Sequence, residues 1–218
     1  MPDRIRILHL ITDLDVGGAE LVLARLVESA DASRFAHTVV SLSDRGAVGA
    51  RIAAAGIPVH ELRMRKGASN VSALWRLFAV VRQLRPAVIQ TWLYHADLAG
   101  AIVTLLGSRV PLVWNIRCAE LDPRDHPRSL GVVLRILAAW SARPAAVICN
   151  STAGRTAHQR LGYRPRAWEL IPNGFDTEVL RPSAAARSEI RAELGVASDT
   201  PLVGLLARVH PMKDHETF

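Results

Sequence analysis

Two adjacent glycines stand between the first strand-like segment and the first helix-like segment of the chain. Gly17 and Gly18 are followed by Ala19 and Glu20. A residue without a side chain lets the backbone approach a ligand closely, and the amides at a helix N-terminus attract an anion such as phosphate. A tight strand-to-helix turn explains the same pair equally well. The dinucleotide fingerprint G-x-G-x-x-G is absent, so the pair predicts a binding loop only together with other motifs.

A histidine and an aspartate follow the fourth predicted strand. His95 and Asp97 come shortly after Thr91 and Trp92, close to the point where that strand ends. A histidine there could hydrogen-bond a polar substrate; alternatively, the two residues belong to the capped start of a helix predicted over 97–106. The eight histidines form no H-x-H or H-E-x-x-H pair, so no metal site is predicted.

Two cations lie on either side of a turn near the end of the sequence. Arg208 and Lys213 follow the apolar segment 201–207 and are separated by four residues that include a proline. A pair of cations can neutralise a diphosphate leaving group, although each could equally be an isolated surface charge. Further upstream, Asn173 and Gly174 favour a turn because this pair tolerates positive φ.

Apolar strand-like segments alternate with amphipathic helix-like segments through residue 176. The segment 71–84, for example, repeats apolar residues every three or four positions, which is typical of a helix with one buried face. This alternation predicts right-handed crossovers and an α/β fold with a doubly wound parallel sheet of the Rossmann-like type. Pro58 favours an edge position for the strand over 57–62, and Gly56 suits the end of the helix before it.

The fold itself predicts where a ligand would bind. In a doubly wound sheet the ligand site lies beyond the carboxyl ends of the strands, near the switch in strand order. That rule selects the segments 13–20, 91–97 and 115–120 together with Asn150 and Ser151. Ser151 is also placed to cap the helix that follows it.

The sequence changes character after residue 176, and we predict three parts. Residues 1–176 form the Rossmann-like domain, and residues 177–199 form a linker with a short helix over 183–194. Residues 200–218 have the pattern of the first strand and loop of a second domain, and no helix-like segment follows to cover that strand. We therefore expect a truncated second domain, in which 202–206 is disordered, abnormally packed or paired with another chain.

Composition excludes several classes of protein. Half of the 218 residues are hydrophobic, so a buried core is expected, and the two cysteines cannot form a disulfide framework. No apolar run approaches the roughly 20 residues needed to span a bilayer, and the N-terminal apolar stretch is too short for a signal peptide. A net charge of +7 without a run of basic residues does not favour nucleic acid as a partner. We expect a cytoplasmic protein.

Three motifs together resemble glycosyltransferase family 4, a group of GT-B enzymes. They are Gly17-Gly18-Ala19-Glu20, Ile171-Pro172-Asn173-Gly174-Phe175-Asp176, and Ala207-Arg208 through Lys213-Asp214. The resemblance implies two Rossmann-like domains across a cleft, with the acceptor mainly on the N-terminal one and the nucleotide-sugar donor on the other. It also implies a retaining, metal-independent transfer with no cofactor, in which the nucleotide-diphosphate sugar is a substrate.

The resemblance also implies roles for individual residues. The residues expected to bind substrate are Gly17, Gly18, Glu20, Asn150, Ser151 and Asn173, and those expected to bind the donor diphosphate are Arg208 and Lys213. Many family members carry a histidine after the strand at 112–116, where this chain has Arg117. The fork of an arginine suits a sugar hydroxyl, a carboxylate or a phosphate on the acceptor. His95 is the alternative candidate for contact with the reacting sugar, so both are predicted catalytic residues.

One departure from the family limits what the chain is expected to do. The pair of glutamates, eight positions apart, that the family uses in its C-terminal domain is absent, so we expect an inactive fragment that binds acceptor weakly. The acceptor would be a glycan or a lipid-linked sugar. Arginines between 63 and 85 favour peripheral contact with the inner face of the cytoplasmic membrane, or else form a solvated helix face. The alternative function is a non-catalytic, Rossmann-like nucleotide-sugar binding or regulatory protein.

Overall fold

Strands and helices alternate along the first 170 residues. The computed structural model describes residues 4–64, 71–119, 128–207, 209 and 214–218. The strands are β1 Ile5–Ile11, β2 Phe35–Ser41, β3 Val59–Glu61, β4 Val88–Trp92, β5 Leu112–Ile116, β6 Ala146–Cys149 and β7 Trp168–Leu170. The helices are α1 Gly18–Ser29, α2 Gly46–Ala54, α3 Val71–Leu84, α4 Tyr94–Leu105, α5 Arg128–Trp140, α6 Thr152–Arg160 and α7 Ala184–Glu193.

The described strands form one parallel sheet of seven strands in the order β3-β2-β1-β4-β5-β6-β7. The chain thus leaves β1 in one direction to build β2 and β3, and returns to the other side of β1 to build β4 through β7. The α/β, doubly wound, Rossmann-like fold is confirmed, and so is the edge position of β3. The switch in strand order lies between β1 and β4, whose residues Leu10 and Thr91 are paired.

Alternation along the central strands divides the core between the two faces of the sheet. Leu8, Leu10 and Val40 pack in a cluster with α3, α4 and α5, whereas Ile11 and Val39 pack in a second cluster with α1 and α2. Because successive side chains of a strand point to opposite faces, one buried strand serves both layers. This two-sided burial explains why β1 is apolar along most of its length.

Helix ends show local chemistry that the sequence predicts. Gly56 follows α2 with φ of +81°, a conformation that costs a glycine little, and Ser151 caps α6 by accepting a hydrogen bond from the Gly154 amide at 3.1 Å. The predicted start of α4 near residue 97 is wrong, since the helix already begins at Tyr94. Leu93, with φ of +70°, is the single residue between the end of β4 at Trp92 and the start of α4 at Tyr94.

The chain forms two compact units, Met1–Gly174 and Phe175–Phe218. In the second unit, Ser183 caps α7, and the buried Arg191 guanidinium donates to the backbone oxygens of Ala197 and Thr200. Residues 201–207 are not in a strand, in contrast to the buried strand that their apolar pattern favours. A strand needs a neighbour for its backbone hydrogen bonds. Without one, Leu206 is fully exposed and Val203 is 83% exposed.

Candidate functional site

The loops at the carboxyl ends of the strands gather most of the predicted site residues of the first unit. β1 and β4 are neighbours, but the loops that leave them lead to helices in different halves of the sheet. Such a divergence opens a crevice where ligands bind in doubly wound folds. The loops after β1, β4, β5, β6 and β7 therefore define the candidate site.

Gly17 and Glu20 are in close contact at the start of α1. Gly17 is the N-cap residue, with φ of −151°, which is an extended conformation open to any residue. A Cβ atom at this position would overlap the Oε2 atom of Glu20, whose side chain is buried. A Cβ atom at Gly18 would meet nothing within 4 Å. Because the overlapping atoms belong to the end of the Glu20 side chain, a rotation of that side chain can relieve the contact, and the space beside Gly18 is open.

The loop that carries these glycines is held by α2, a contact that the sequence analysis does not predict. The Val48 amide donates to the Leu14 carbonyl oxygen at 3.0 Å. Gly46, at the start of α2, has φ of +60°, and a Cβ atom there would overlap the same carbonyl group. Gly46 therefore allows α2 to approach the loop at a distance that no other residue type permits. The glycine within Asp44-Arg45-Gly46 is the only sequence signal for this contact.

His95 and Asp97 have different environments although they share the first turn of α4. His95 is exposed. Asp97 is fully buried, and its Oδ1 atom accepts a hydrogen bond from the Thr91 hydroxyl at 2.5 Å. Burial raises the pKa of this carboxyl well above its usual range, because the charged form is poorly solvated. Asp97 thus joins the first turn of α4 to β4, and His95 is the exposed residue of the pair.

Arg117 and Asn173 are 56 positions apart and are joined by a hydrogen bond. The Nη2 atom of Arg117 donates to the Oδ1 atom of Asn173. The guanidinium carbon also lies 5.5 Å from the centre of the Trp92 ring, within the range of a cation–π contact. Arg117 is half-buried, and burial lowers its pKa. The ends of β4 and β5 and the segment after β7 thus meet at this arginine.

A buried chain of hydrogen bonds leads from Trp92 to the far side of the switch point. The Nε1 atom of Trp92 donates to His9 Nδ1 at 3.3 Å, and His9 Nε2 lies 2.9 Å from His37 Nδ1. Because an indole nitrogen can only donate, His9 must carry its proton on Nε2 and donate it to His37. The sequence signal for this chain is a histidine inside the apolar strand Ile5–Ile11, which the sequence analysis passes over.

Asn150 and Ser151 lie after β6 and beside the end of β5. A Cβ atom at Gly154 would lie 3.2 Å from Ser151 Oγ and 3.4 Å from the Cys118 carbonyl oxygen, so the two loops are packed together. The hydroxyl oxygen of Ser151 accepts the capping hydrogen bond of α6. Asn150 is half-buried, and its Oδ1 atom lies near Gly154.

Arg208 and Lys213, the cations predicted to bind the donor diphosphate, lie outside the described residues. Among the residues that are described, no three His, Cys, Asp or Glu side chains come together in a group that could hold a metal ion. Nor is any of the described helices long and apolar enough to cross a membrane.

Comparison with known proteins assigns the chain to a family. The sequence pattern of Glycosyltransferase Family 4 matches residues 16–179, which is most of the first unit. The chain belongs to glycosyltransferase family 4. One relative is EpsF of Bacillus subtilis (strain 168), a candidate glycosyltransferase, which is 34% identical to this chain over 71 residues. That match covers 33% of this chain and 18% of EpsF.

Solved structures match a longer stretch of this family 4 chain. The Anabaena protein HepE, in a crystal structure with UDP, matches with a TM-score of 0.72 and 26% identity over 87% of this chain and 50% of HepE. HepE in complex with UDP-glucose gives a TM-score of 0.70 at 27% identity. Sucrose-phosphate synthase from Thermosynechococcus elongatus shares the fold, with a TM-score of 0.66 at 14% identity. The chain spans about half the length of these structures.

Proposed function

We propose that the chain forms the acceptor side of a glycosyltransferase that moves a sugar from a nucleotide-diphosphate donor to a glycan or a lipid-linked acceptor. The observation that carries the proposal is the match to HepE, which is 26% identical to this chain and has been crystallised with UDP and with UDP-glucose. The match covers 50% of HepE, and the proposed activity is that of the whole protein rather than of these 218 residues alone. We propose the chain alone to be inactive.

The proposed transfer is retaining and needs neither a metal ion nor a cofactor. Arg208 and Lys213 would stabilise the charge of the leaving diphosphate in place of a divalent cation. Within the first unit, His95 and Arg117 would contact the reacting sugar and the acceptor, with Gly18, Asn150 and Asn173 lining the same edge of the sheet. The reaction would take place in the cytoplasm, where nucleotide sugars are available. The proposed role is in the synthesis of a polysaccharide of the cell envelope.

A transfer assay tests the proposal. We expect no turnover of UDP- or GDP-sugars by the purified 218-residue chain, and measurable turnover by the product of the gene's whole reading frame. Added EDTA should leave that turnover unchanged. The transferred sugar should keep the anomeric configuration that it has in the donor. Turnover by the 218-residue chain would contradict its inactivity. If the protein encoded by the whole reading frame binds the donor but does not turn it over, a regulatory nucleotide-sugar binding protein is favoured.

The surface of α3 supports peripheral contact with an anionic membrane. Val71 and Trp75 are each 57% exposed and lie on the face opposite the buried Ala73 and Leu77. Trp75 packs edge-on against Phe78. An exposed aromatic ring close to basic residues is typical of helices that bind the surface of an anionic membrane. The helix contains two arginines and no acidic residue.

Removal of the exposed tryptophan is expected to weaken membrane binding. In flotation with vesicles that contain 30% phosphatidylglycerol, Trp75→Ala should bind several-fold less than the unaltered chain, because the indole ring would no longer enter the interface. Val132→Ala on α5 removes an apolar side chain of similar exposure (52%) from a different surface and is the matched control. Equal binding by both variants would contradict a role of α3.

A further inference from the structure

Arg117 is a half-buried cation that has no carboxylate partner among the described residues. The described ion pairs join arginines to Glu28 or Glu61 on the other side of the sheet, and within the part of the chain that the structure describes Arg117 forms none. Its Nε atom is buried and has no hydrogen-bond acceptor in the described part of the chain. Removing a guanidinium from water without an anion nearby is unfavourable, and this cost is visible in the lowered pKa of Arg117.

Neutral groups hold this cation in place. The Asn173 side-chain oxygen accepts a hydrogen bond from Nη2, and the guanidinium carbon lies 5.5 Å from the centre of the Trp92 ring. Trp92 is itself fixed by its hydrogen bond to the buried His9. A guanidinium has five N–H groups in a rigid fork. These contacts orient the fork without neutralising its charge.

Arg117 lies at the edge of the sheet where a ligand is expected. The residue follows β5 directly, at the edge of the sheet where ligands bind in this type of fold. Cys118, the next residue, packs against the N-terminal turn of α6, a helix end that also favours negative charge. A hydroxyl group could accept a hydrogen bond from the guanidinium but would not neutralise its charge. An anion would provide both the hydrogen-bond acceptor and the negative charge.

We propose that Arg117 binds an anionic oxygen group of the acceptor, either a phosphate or a carboxylate, and that Trp92 and Asn173 are positioning residues for it. This inference rests on the proposed function, since it names the chemical class of the acceptor: a glycan with a phosphoryl or uronic acid group close to the reacting hydroxyl. Bidentate binding of the guanidinium fork to two oxygens of the anion is the geometry that such a pair favours.

Titrations of the 218-residue chain at constant ionic strength test the proposal. The ¹⁵N–¹H resonance of Arg117 Nε, identified by its loss in Arg117→Gln, should shift saturably with inorganic phosphate or with glucuronate, but not with glucose. Arg117→Gln should weaken binding at least tenfold, as followed by backbone amide shifts in 115–119. Arg117→Lys, which keeps the charge but loses the fork, should lie in between. The relative affinity for phosphate and glucuronate decides between the two sources.

A matched charge change elsewhere serves as the control. Arg109 is exposed and precedes β5 at the opposite edge of the sheet, so Arg109→Gln should bind phosphate within twofold of the unaltered chain. Equal weakening by both glutamine variants would show a general effect of net charge and would overturn the proposal. A glucose-induced shift as large as that with phosphate, or no saturable shift with either anion, would overturn it too.

Two substitutions of Asn173 separate positioning from a structural role. Asn173 is exposed, so Asn173→Ala should unfold at the same urea concentration as the unaltered chain but bind phosphate about tenfold more weakly. Asn173→Asp should strengthen the contact with Arg117 and yet abolish phosphate binding, because the cation would then have an anion within the chain. Phosphate binding that survives Asn173→Asp would overturn the proposal. These measurements need no donor, so failure of the transfer assay would leave their outcome unaffected.

Discussion

Gly46→Ala is expected to lower the free energy of unfolding by about 3 kcal/mol or more, the sum of a left-handed backbone conformation and an overpacked contact. The added Cβ atom would lie 2.8 Å from the Asp15 amide nitrogen and would overlap the Leu14 carbonyl group. These are backbone atoms, so the clash cannot be relieved by a side-chain rotation. Either α2 or the loop before Gly17 must move, and the Val48 amide would lose its hydrogen bond to Leu14.

The other end of α2 supplies the matched control for this prediction. Gly56 also has a positive φ, +81°, but a Cβ atom there would meet nothing within 4 Å. Gly56→Ala should therefore cost only about 1–2 kcal/mol, from the backbone conformation alone. Urea unfolding gives both values, and hydrogen exchange of the Val48 amide reports the local contact. Equal costs for the two substitutions would show that the contact with Leu14 does not constrain the loop.

Features that depend on one segment's own chemistry could be predicted from the sequence. The alternation of strands and helices follows from hydrophobic periods that act over a few residues, and Pro58 is incompatible with a central strand. Gly56 after α2 and Ser151 before α6 are confirmed for the same reason, since each acts on backbone groups within a turn of its own helix. Parallel pairing of the strands then follows from the helical crossovers that connect them.

Contacts between distant segments could not be predicted in the same way. Trp92 meets His9 across 83 positions, and Arg117 meets Asn173 across 56. Such pairs depend on which strands become neighbours and on which face each side chain takes, and a shift of one residue in a strand reverses that face.

The apolar segment 201–207 illustrates how context decides between two structures. Its composition is that of a buried strand, yet none of the described residues pairs with it as a strand, and most of its side chains are exposed. Strand propensity describes how a segment fits a pleated, half-buried surface, and it has no effect where that surface is missing. A sequence pattern therefore predicts what a segment can form, and the neighbours decide whether it does.

Acid is expected to destabilise the first unit through its buried histidines, and His9→Gln should reduce that effect. Burial, together with the neighbouring His37, lowers the pKa of His9 to about 3, whereas the unfolded chain binds the proton near pH 6.5. The stability that the neutral His9 contributes is present above pH 6.5 and is lost as the pH falls toward 3. At about 1.4 kcal/mol per pH unit, His9 alone should remove about 3 kcal/mol between pH 7.5 and 4.5.

Glutamine cannot take up the proton, so His9→Gln should lose about 3 kcal/mol less than the unaltered chain over the same pH range. Burial lowers the pKa of His158 as well, and this residue remains in the variant, so its titration cancels in the comparison. Urea unfolding at the two pH values, at constant ionic strength, measures the difference. An equal loss of stability in both proteins would show that His9 is protonated without cost in the folded state.

Asp97→Asn should change the pH dependence in the opposite direction, and this separates titration from general destabilisation. The raised pKa of Asp97 means that the folded chain holds a proton which the unfolded chain has released, so this group stabilises the fold increasingly as the pH falls toward 3.8. The amide oxygen of asparagine can still accept the Thr91 hydrogen bond, but it does not titrate. Stability should therefore fall more steeply with acid in Asp97→Asn and less steeply in His9→Gln. Damage to the core alone would lower the stability of both variants but would leave both slopes unchanged.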